Sequence, residues 1–201
     1  MTALDLQILD FLQQYCRNSV LDQILCAVSR LGDFGMVWIA LTAVLLLVPK
    51  TRRTGVIVAM ALILDLLLCN CLLKPLVART RPYVINSAVE ILIPKPVDYS
   101  FQSGHSAASF AVVTALYCVH SRLRYPAFVL ALMMAFSRMY LYVHYPSDVL
   151  GGALIGMICG CAATKLFGIL LRRWNKKRRP NDCPSDCKHA CDSCTGKKRS
   201  S

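Results

Sequence analysis

GVIVAMALILDLLLCNCLLKPLVARTRP, residues 55–82, decides the fold. From Gly55 to Leu73 the only charge is Asp65, and Lys74 then opens a segment stiffened by Pro75 and Pro82. At ~1.5 Å per residue the apolar run reaches about 28 Å, close to the ~30 Å hydrocarbon thickness of a bilayer. A helix of that length crosses a membrane, and the cations at its end stand where a charge is expensive and rarely idle.

The rest of the chain extends this pattern. Of 201 residues, 56% are hydrophobic, and the mean hydropathy is +0.49. That is too apolar for an ordinary soluble domain. Further apolar runs cover about 34–48, 106–119, 127–140 and 147–171. The expected fold is therefore all-α: a polytopic bundle of five or six transmembrane helices (residues 34–171). Residues 1–33 precede it as amphipathic interfacial helices, with Asn18 placed to cap the second. They lack the basic, apolar and cleavage-site order of a signal peptide. A basic, cysteine-rich tail (172–201) follows.

The formal net charge of +12 is concentrated in short loops and the tail. Lys50, Arg52 and Arg53 join the first two spans, Arg122 and Arg124 join the third and fourth, and Arg172 to Arg179 follow the fifth. Five crossings put these clusters on one side, which the positive-inside rule makes cytoplasmic. Basic clusters so placed serve topology, and no nucleic-acid partner is expected. The opposite, extracytoplasmic side then carries 74–105 and 141–146. Asp65 reads as a structural carboxyl facing the bundle interior rather than as part of a relay.

Three short segments on that side carry chemistry. In Ser137 to Asp148 (SRMYLYVHYPSD), His144 and Asp148 are four apart and Pro146 suits a first helical turn. Asp148 is thus expected to reach one imidazole nitrogen of His144 and leave the other basic, as in a generalised triad. Arg138 offers a planar fork for phosphate oxygens. In Ser103-Gly104-His105, Ser103 suits a helix cap and Gly104 lets backbone approach a ligand. The free N–H groups of the helix start favour an anion. His105 beside a phosphate suits a general acid. Lys74 and Arg81 add two cations, and positioned charge is the main lever in phosphoryl transfer.

Lys-x6-Arg-Pro, Ser-Gly-His and Ser-Arg-x5-His-x3-Asp, in this order, resemble the type 2 phosphatidic acid phosphatase superfamily of membrane lipid phosphatases. One departure is Gln102, where the family usually has Pro. The resemblance implies a hydrolase without cofactor or active-site metal. Lys74, Arg81 and Arg138 would bind phosphate with Ser103 and the Gly104 amide. His144 would be the nucleophile, forming a phosphohistidine, with Asp148 orienting it and His105 protonating the leaving group. The segment LIPKPVDYSFQSGH (92–105) looks like that of bacterial undecaprenyl-diphosphate phosphatases, which release phosphate from the spent cell-wall carrier lipid in the cell membrane. Lys95 is then a candidate for the distal phosphate. A phosphatase for phosphatidylglycerophosphate or phosphatidic acid is the alternative, and a non-catalytic phospholipid-binding module a further one. In each case the partners are the bilayer and a membrane lipid.

Eleven cysteines divide into two groups. Seven lie among apolar residues and read as small hydrophobes. Cys183, Cys187, Cys191 and Cys194 crowd the tail, where a zinc site and a tail of reactive or lipid-modified thiols fit equally.

Overall fold

The long apolar run folds as α4 (Arg52–Leu66), continued by a π-helical stretch (Leu67–Leu73) and a last α-turn (Lys74–Val77). The molecule is known here as a computed structural model that describes residues 2–96 and 98–178. Before α4 come α1 (Thr2–Phe11), α2 (Ser19–Leu31) and α3 (Met36–Leu47). We label the short helix Lys74–Val77 α5 and Pro82–Ile85 α6; α7 (Gly104–Cys118), α8 (Arg124–Tyr140) and α9 (Pro146–Arg178) complete the series. All regular elements among the described residues are helical.

Local chemistry sets the boundaries. Asn18 Oδ1 accepts from the Leu21 N–H at 2.9 Å and caps α2, satisfying one of the orphan donors of a helix start. α3 starts later than its apolar pattern because Phe34 (φ 52°) and Gly35 (φ 69°) are left-handed. α2 and the segment Asp33–Leu47 meet there at a bend of 49°. Pro82 and Pro146 occupy first helical positions, where a missing N–H is harmless.

Two helical stretches, Arg52–Ile85 and Pro146–Lys177, are long and apolar enough to cross a membrane, and the bent α2–α3 pair makes a third if it counts as one. α7 and α8, with 15 and 17 residues, are shorter than the ~20 a full crossing needs. α7 packs against α3, α4 and α8, and Ala107, Ala111, Val112, Ala115 and Leu116 on it are fully buried.

α9 packs closely on α7. Gly152, Gly156 and Gly160 face the backbone of Ser103, Ala107 and Ala111: a Cβ at Gly156 would stand 2.1 Å from the Ala107 carbonyl oxygen, and one at Gly160 2.6 Å from that of Ala111. Small residues four apart let helix backbones touch where lipid offers no hydrophobic drive.

Residues Met1–Leu166 form one compact unit. Leu25 packs with Tyr140, Leu141 and Val143, and Leu9 with Tyr142 and Tyr145. α1 and α2 thereby embrace the segment leading from α8 to α9. Asp65 is buried on α4 and accepts from the Cys69 thiol at 3.0 Å, a local structural bond. The tail cysteines Cys183, Cys187, Cys191 and Cys194 lie outside the described residues.

Candidate active site

Four helix ends converge: the end of the α4–α5 stretch, the start of α7, the end of α8 and the start of α9. Left-handed Ala78 (φ 44°) ends α5, and the chain then runs extended into Arg81 (ψ 152°) before α6. Left-handed Tyr142 (φ 59°) turns the chain after α8, and His144 follows in the loop before Pro146. Backbone in sparsely populated regions beside such side chains is the usual place for local strain.

His144 is almost fully buried. Its Nδ1–H donates to the Ser100 carbonyl at 2.8 Å, while Asp148 Oδ2 stands 3.8 Å from Nδ1. The expected direct bond to Asp148 is thus a longer contact between a neutral imidazole and a carboxylate, because Pro146 starts α9 only after His144 and the two residues do not share a helical turn. The tautomer is the expected one. Nε2 keeps its lone pair and receives Arg81 Nη1 at 3.3 Å. Burial, reinforced by the charges of Arg81 and Arg138, outweighs the pull of Asp148 and lowers the His144 pKa to about 4.

Asp148 is fully buried and well partnered. Oδ2 accepts from Ser100 Oγ at 2.5 Å and the Tyr145 N–H at 3.2 Å. Oδ1 accepts from Arg79 Nη1 at 2.5 Å. Arg79 also donates to Ser147 Oγ at 2.8 Å and to Asp5 Oδ2 at 2.8 Å, and its guanidinium lies 3.8 Å over the Tyr145 ring. Neither Arg79 nor Ser100 follows from local spacing.

His105 opens α7, with Nε2 3.3 Å from the Ser29 carbonyl and 3.2 Å from Asp33 Oδ1. Burial, reinforced by the charges of Arg138 and His144, lowers the His105 pKa well below its usual value, so the proton a general acid needs arrives with a bound anion that offsets those charges. Arg138 is buried. Its Nη1 donates to Ser29 Oγ at 2.5 Å, and its Nε is buried without a hydrogen-bond partner. A buried guanidinium N–H with no partner among the described residues is costly and suits an incoming anion. Ser103 is fully buried, its Oγ accepting from the Ser106 N–H at 3.5 Å and from Ser106 Oγ at 3.1 Å. Its hydroxyl therefore serves the cap, and the backbone of Gly104 beside it is half-buried. A Cβ at Gly104 would lie 4.0 Å from Lys74 Nζ, with no closer neighbour. Gln102 is buried against Gly152. Lys95 Nζ sits 5.8 Å over the Tyr83 ring.

Lys74 and Arg81 meet on Asp98. Lys74 Nζ binds Asp98 Oδ2, and Arg81 reaches Asp98 Oδ1 through Nη2 at 2.5 Å and the Asp98 carbonyl through Nε at 2.7 Å. Burial alone would raise the Asp98 pKa, but the Lys74 hydrogen bond and the two positive charges pull it down to about 2. Among the described residues, no group of three or more His, Cys, Asp or Glu side chains is arranged to hold a metal.

A model of the PAP2 superfamily matches residues 53–172. The chain belongs to the PAP2 superfamily. It is a membrane hydrolase of this phosphatase family, acting on lipid phosphates. It is similar to the undecaprenyl-diphosphatase of Sulfolobus acidocaldarius, 32% identical over 143 residues that span 71% of this chain and 68% of that protein. It is also similar to the undecaprenyl-diphosphatase BcrC of Bacillus subtilis, 31% identical over 143 residues covering 71% of this chain and 73% of its relative. Among solved structures, that of Aquifex aeolicus LpxE superposes with a TM-score of 0.71 at 29% identity, covering 81% of this chain and 95% of that one.

Proposed function

We propose that this PAP2 phosphatase removes the terminal phosphate of a polyprenyl diphosphate, undecaprenyl diphosphate being the representative substrate, through a phosphohistidine on His144. The observation that carries the reading is the His144 ring: Nδ1–H is committed to the Ser100 carbonyl at 2.8 Å, so Nε2 alone is nucleophilic, and it faces the Arg81 guanidinium at 3.3 Å. The substrate class rests on the similarity to two undecaprenyl-diphosphatases.

In the first half-reaction Nε2 attacks the terminal phosphorus. The P–N bond forms as the bond to the bridging oxygen breaks, and His105 gives that oxygen its proton. The polyprenyl monophosphate leaves. Water then attacks the phosphohistidine, the P–N bond breaks, His105 takes the water proton, and inorganic phosphate departs. Lys74, Arg81, Arg138 and the Gly104 backbone hold the charge of the equatorial oxygens. The Ser100 carbonyl and Asp148 stabilise the positive ring that His144 becomes. Binding lipid head groups would require the cations alone, not two oriented imidazoles.

The site faces the extracytoplasmic side in this reading. α4 runs from Arg52 and Arg53 towards it, α7 runs from it towards Arg122, and α8 returns from Arg124. The basic connections thus sit at the other helix ends, where the positive-inside rule sets the cytoplasm.

The test compares phosphate release from undecaprenyl diphosphate and phosphatidylglycerophosphate, at equal surface concentration in detergent, for wild type and His144→Ala. Expected are preference for the polyprenyl substrate and loss of activity in the variant, with an acid-labile phosphoryl label on wild type only. Preference for the glycerolipid overturns the substrate assignment. Retained activity in His144→Ala overturns the nucleophile.

A further inference from the structure

The carboxylate of Asp98 makes the contacts that two oxygens of a phosphate would make. One oxygen takes the Lys74 ammonium and the other takes Arg81 Nη2. The same two cations border the rest of the site: Arg81 Nη1 is 3.3 Å from His144 Nε2, and Lys74 Nζ faces Gly104. An anion that engages Lys74 and Arg81 beside His144 must therefore take over what Asp98 now holds. The Asp98 side chain is 45% exposed, so on release it has water to turn into. The backbone carbonyl of Asp98 binds Arg81 Nε independently of the side chain, so the guanidinium stays anchored when the carboxylate leaves.

We propose that Asp98 is a specificity-determining residue, a tethered carboxylate that admits to the Lys74–Arg81 pair only anions carrying more charge than itself. This rests on the reading of Lys74 and Arg81 as phosphate ligands. The consequence is chemical discrimination where it is most needed. A bilayer is full of phosphodiester head groups, each with a single negative charge on phosphorus. A terminal phosphate or diphosphate carries a charge near two. A monoanion gains no more from the two cations than the resident carboxylate does, and it lacks the advantage of the tether. A dianion gains roughly twice the attraction at equal distance. The low pKa of Asp98 keeps the competitor charged throughout the neutral range.

The experiment uses the full chain in mixed micelles. It measures KM for a polyprenyl diphosphate, the inhibition constant of orthovanadate and inhibition by phosphatidylglycerol, for wild type, Asp98→Asn and Asp98→Glu. Asn keeps the shape and removes the charge. In Asp98→Asn we expect KM and the vanadate constant to fall about tenfold, a change of ~1.4 kcal/mol, and phosphatidylglycerol to become an inhibitor. Asp98→Glu retains the charge and the discrimination. If Asp98 only orients its cations, Asp98→Asn raises KM and the vanadate constant instead, and the proposal falls. It falls equally if phosphatidylglycerol inhibits wild type and variant alike. Should Asp98→Asn lower the thermal midpoint sharply, Asp98→Ser provides the same readings with less to fit into the loop. Lys74→Ala and Arg81→Ala separate the two levels. If neither weakens vanadate, the reading of those residues as phosphate ligands is wrong; if both weaken it while Asp98→Asn has no effect, only the role of Asp98 is.

Discussion

Gly32 controls where His105 stands, and Gly32→Ala measures what that position is worth. A Cβ at Gly32 would lie 2.4 Å from His105 Cδ2 and 3.1 Å from Nε2. Ordinary contact starts at 3.4 Å, so the ring must move by about 1 Å, and a misplacement of that size costs ~10²-fold in rate. His105 Nε2 is already 3.3 Å from the Ser29 carbonyl and 3.2 Å from Asp33, so the same movement pulls it from its acceptors. Gly32 itself is right-handed (φ −83°, ψ −11°), so alanine fits the backbone without strain. The expected result is a fall of about a hundredfold in kcat, equivalent to ~2.7 kcal/mol of barrier, with the thermal midpoint nearly unchanged. Gly168→Ala, which meets nothing within 4 Å, is the control. In a His105→Ala background Gly32→Ala should add nothing, because both changes act through one ring. Full activity in a folded Gly32→Ala enzyme, or a loss that persists in the His105→Ala background, refutes the reasoning.

Four further outcomes are expected. The acid limb of kcat/KM should fall near pH 4, because a lowered His144 pKa keeps the nucleophile neutral above that value and protonation below it removes the lone pair. The same shift makes the native state lose stability as pH falls from about 6.5 towards about 4, since the unfolded chain takes up the proton first; a thermal midpoint flat over that range in wild type contradicts it. Arg79→Ala should lower kcat about tenfold and reduce stability, because it strips the buried Asp148 of its arginine partner. Arg79→Lys should recover only part of both, since an ammonium cannot serve Asp148, Ser147 and Asp5 as a fork does. Gly156→Leu should unfold the enzyme in detergent, by ~3 kcal/mol or more, since its Cβ meets backbone at 2.1 Å.

The helices were legible because their signals are local. The apolar run at 55–73, the Asn18 cap and Pro146 at the start of α9 each act within a few residues, and α4, α7, α8 and α9 fall close to the apolar runs. The spacing of Gly152, Gly156 and Gly160, matched by Ala107, Ala111 and Ala115, was equally open to reading and marks the α7–α9 contact. The site divides differently. Its motif residues were visible as charge and imidazole at helix ends. The groups that hold them were not: Ser29 and Asp33 meet His105 across more than 70 residues, and Ser100 meets His144 across 44. No local periodicity encodes such pairings. His144 and Asp148 show the limit of spacing from the other side. Four residues apart suggests one helical face, but the helix begins between them.

The N-terminal segment bears on how such a site is specified. The superfamily match covers residues 53–172, yet all four aspartates before residue 34 are spent on the site and its surroundings. Asp5 holds Arg79 and Ser147, Asp10 accepts from Tyr142 Oη at 2.6 Å, Asp22 from Tyr140 Oη at 2.7 Å, and Asp33 faces His105. Each contact lands on a residue beside a motif residue or on the motif itself. An amphipathic pair of helices that only lay on a bilayer would leave its carboxylates to water. Here they fix the path of the chain on both sides of His144 and the ring of His105. Changes in α1 and α2 should therefore register in kcat before they register in membrane insertion.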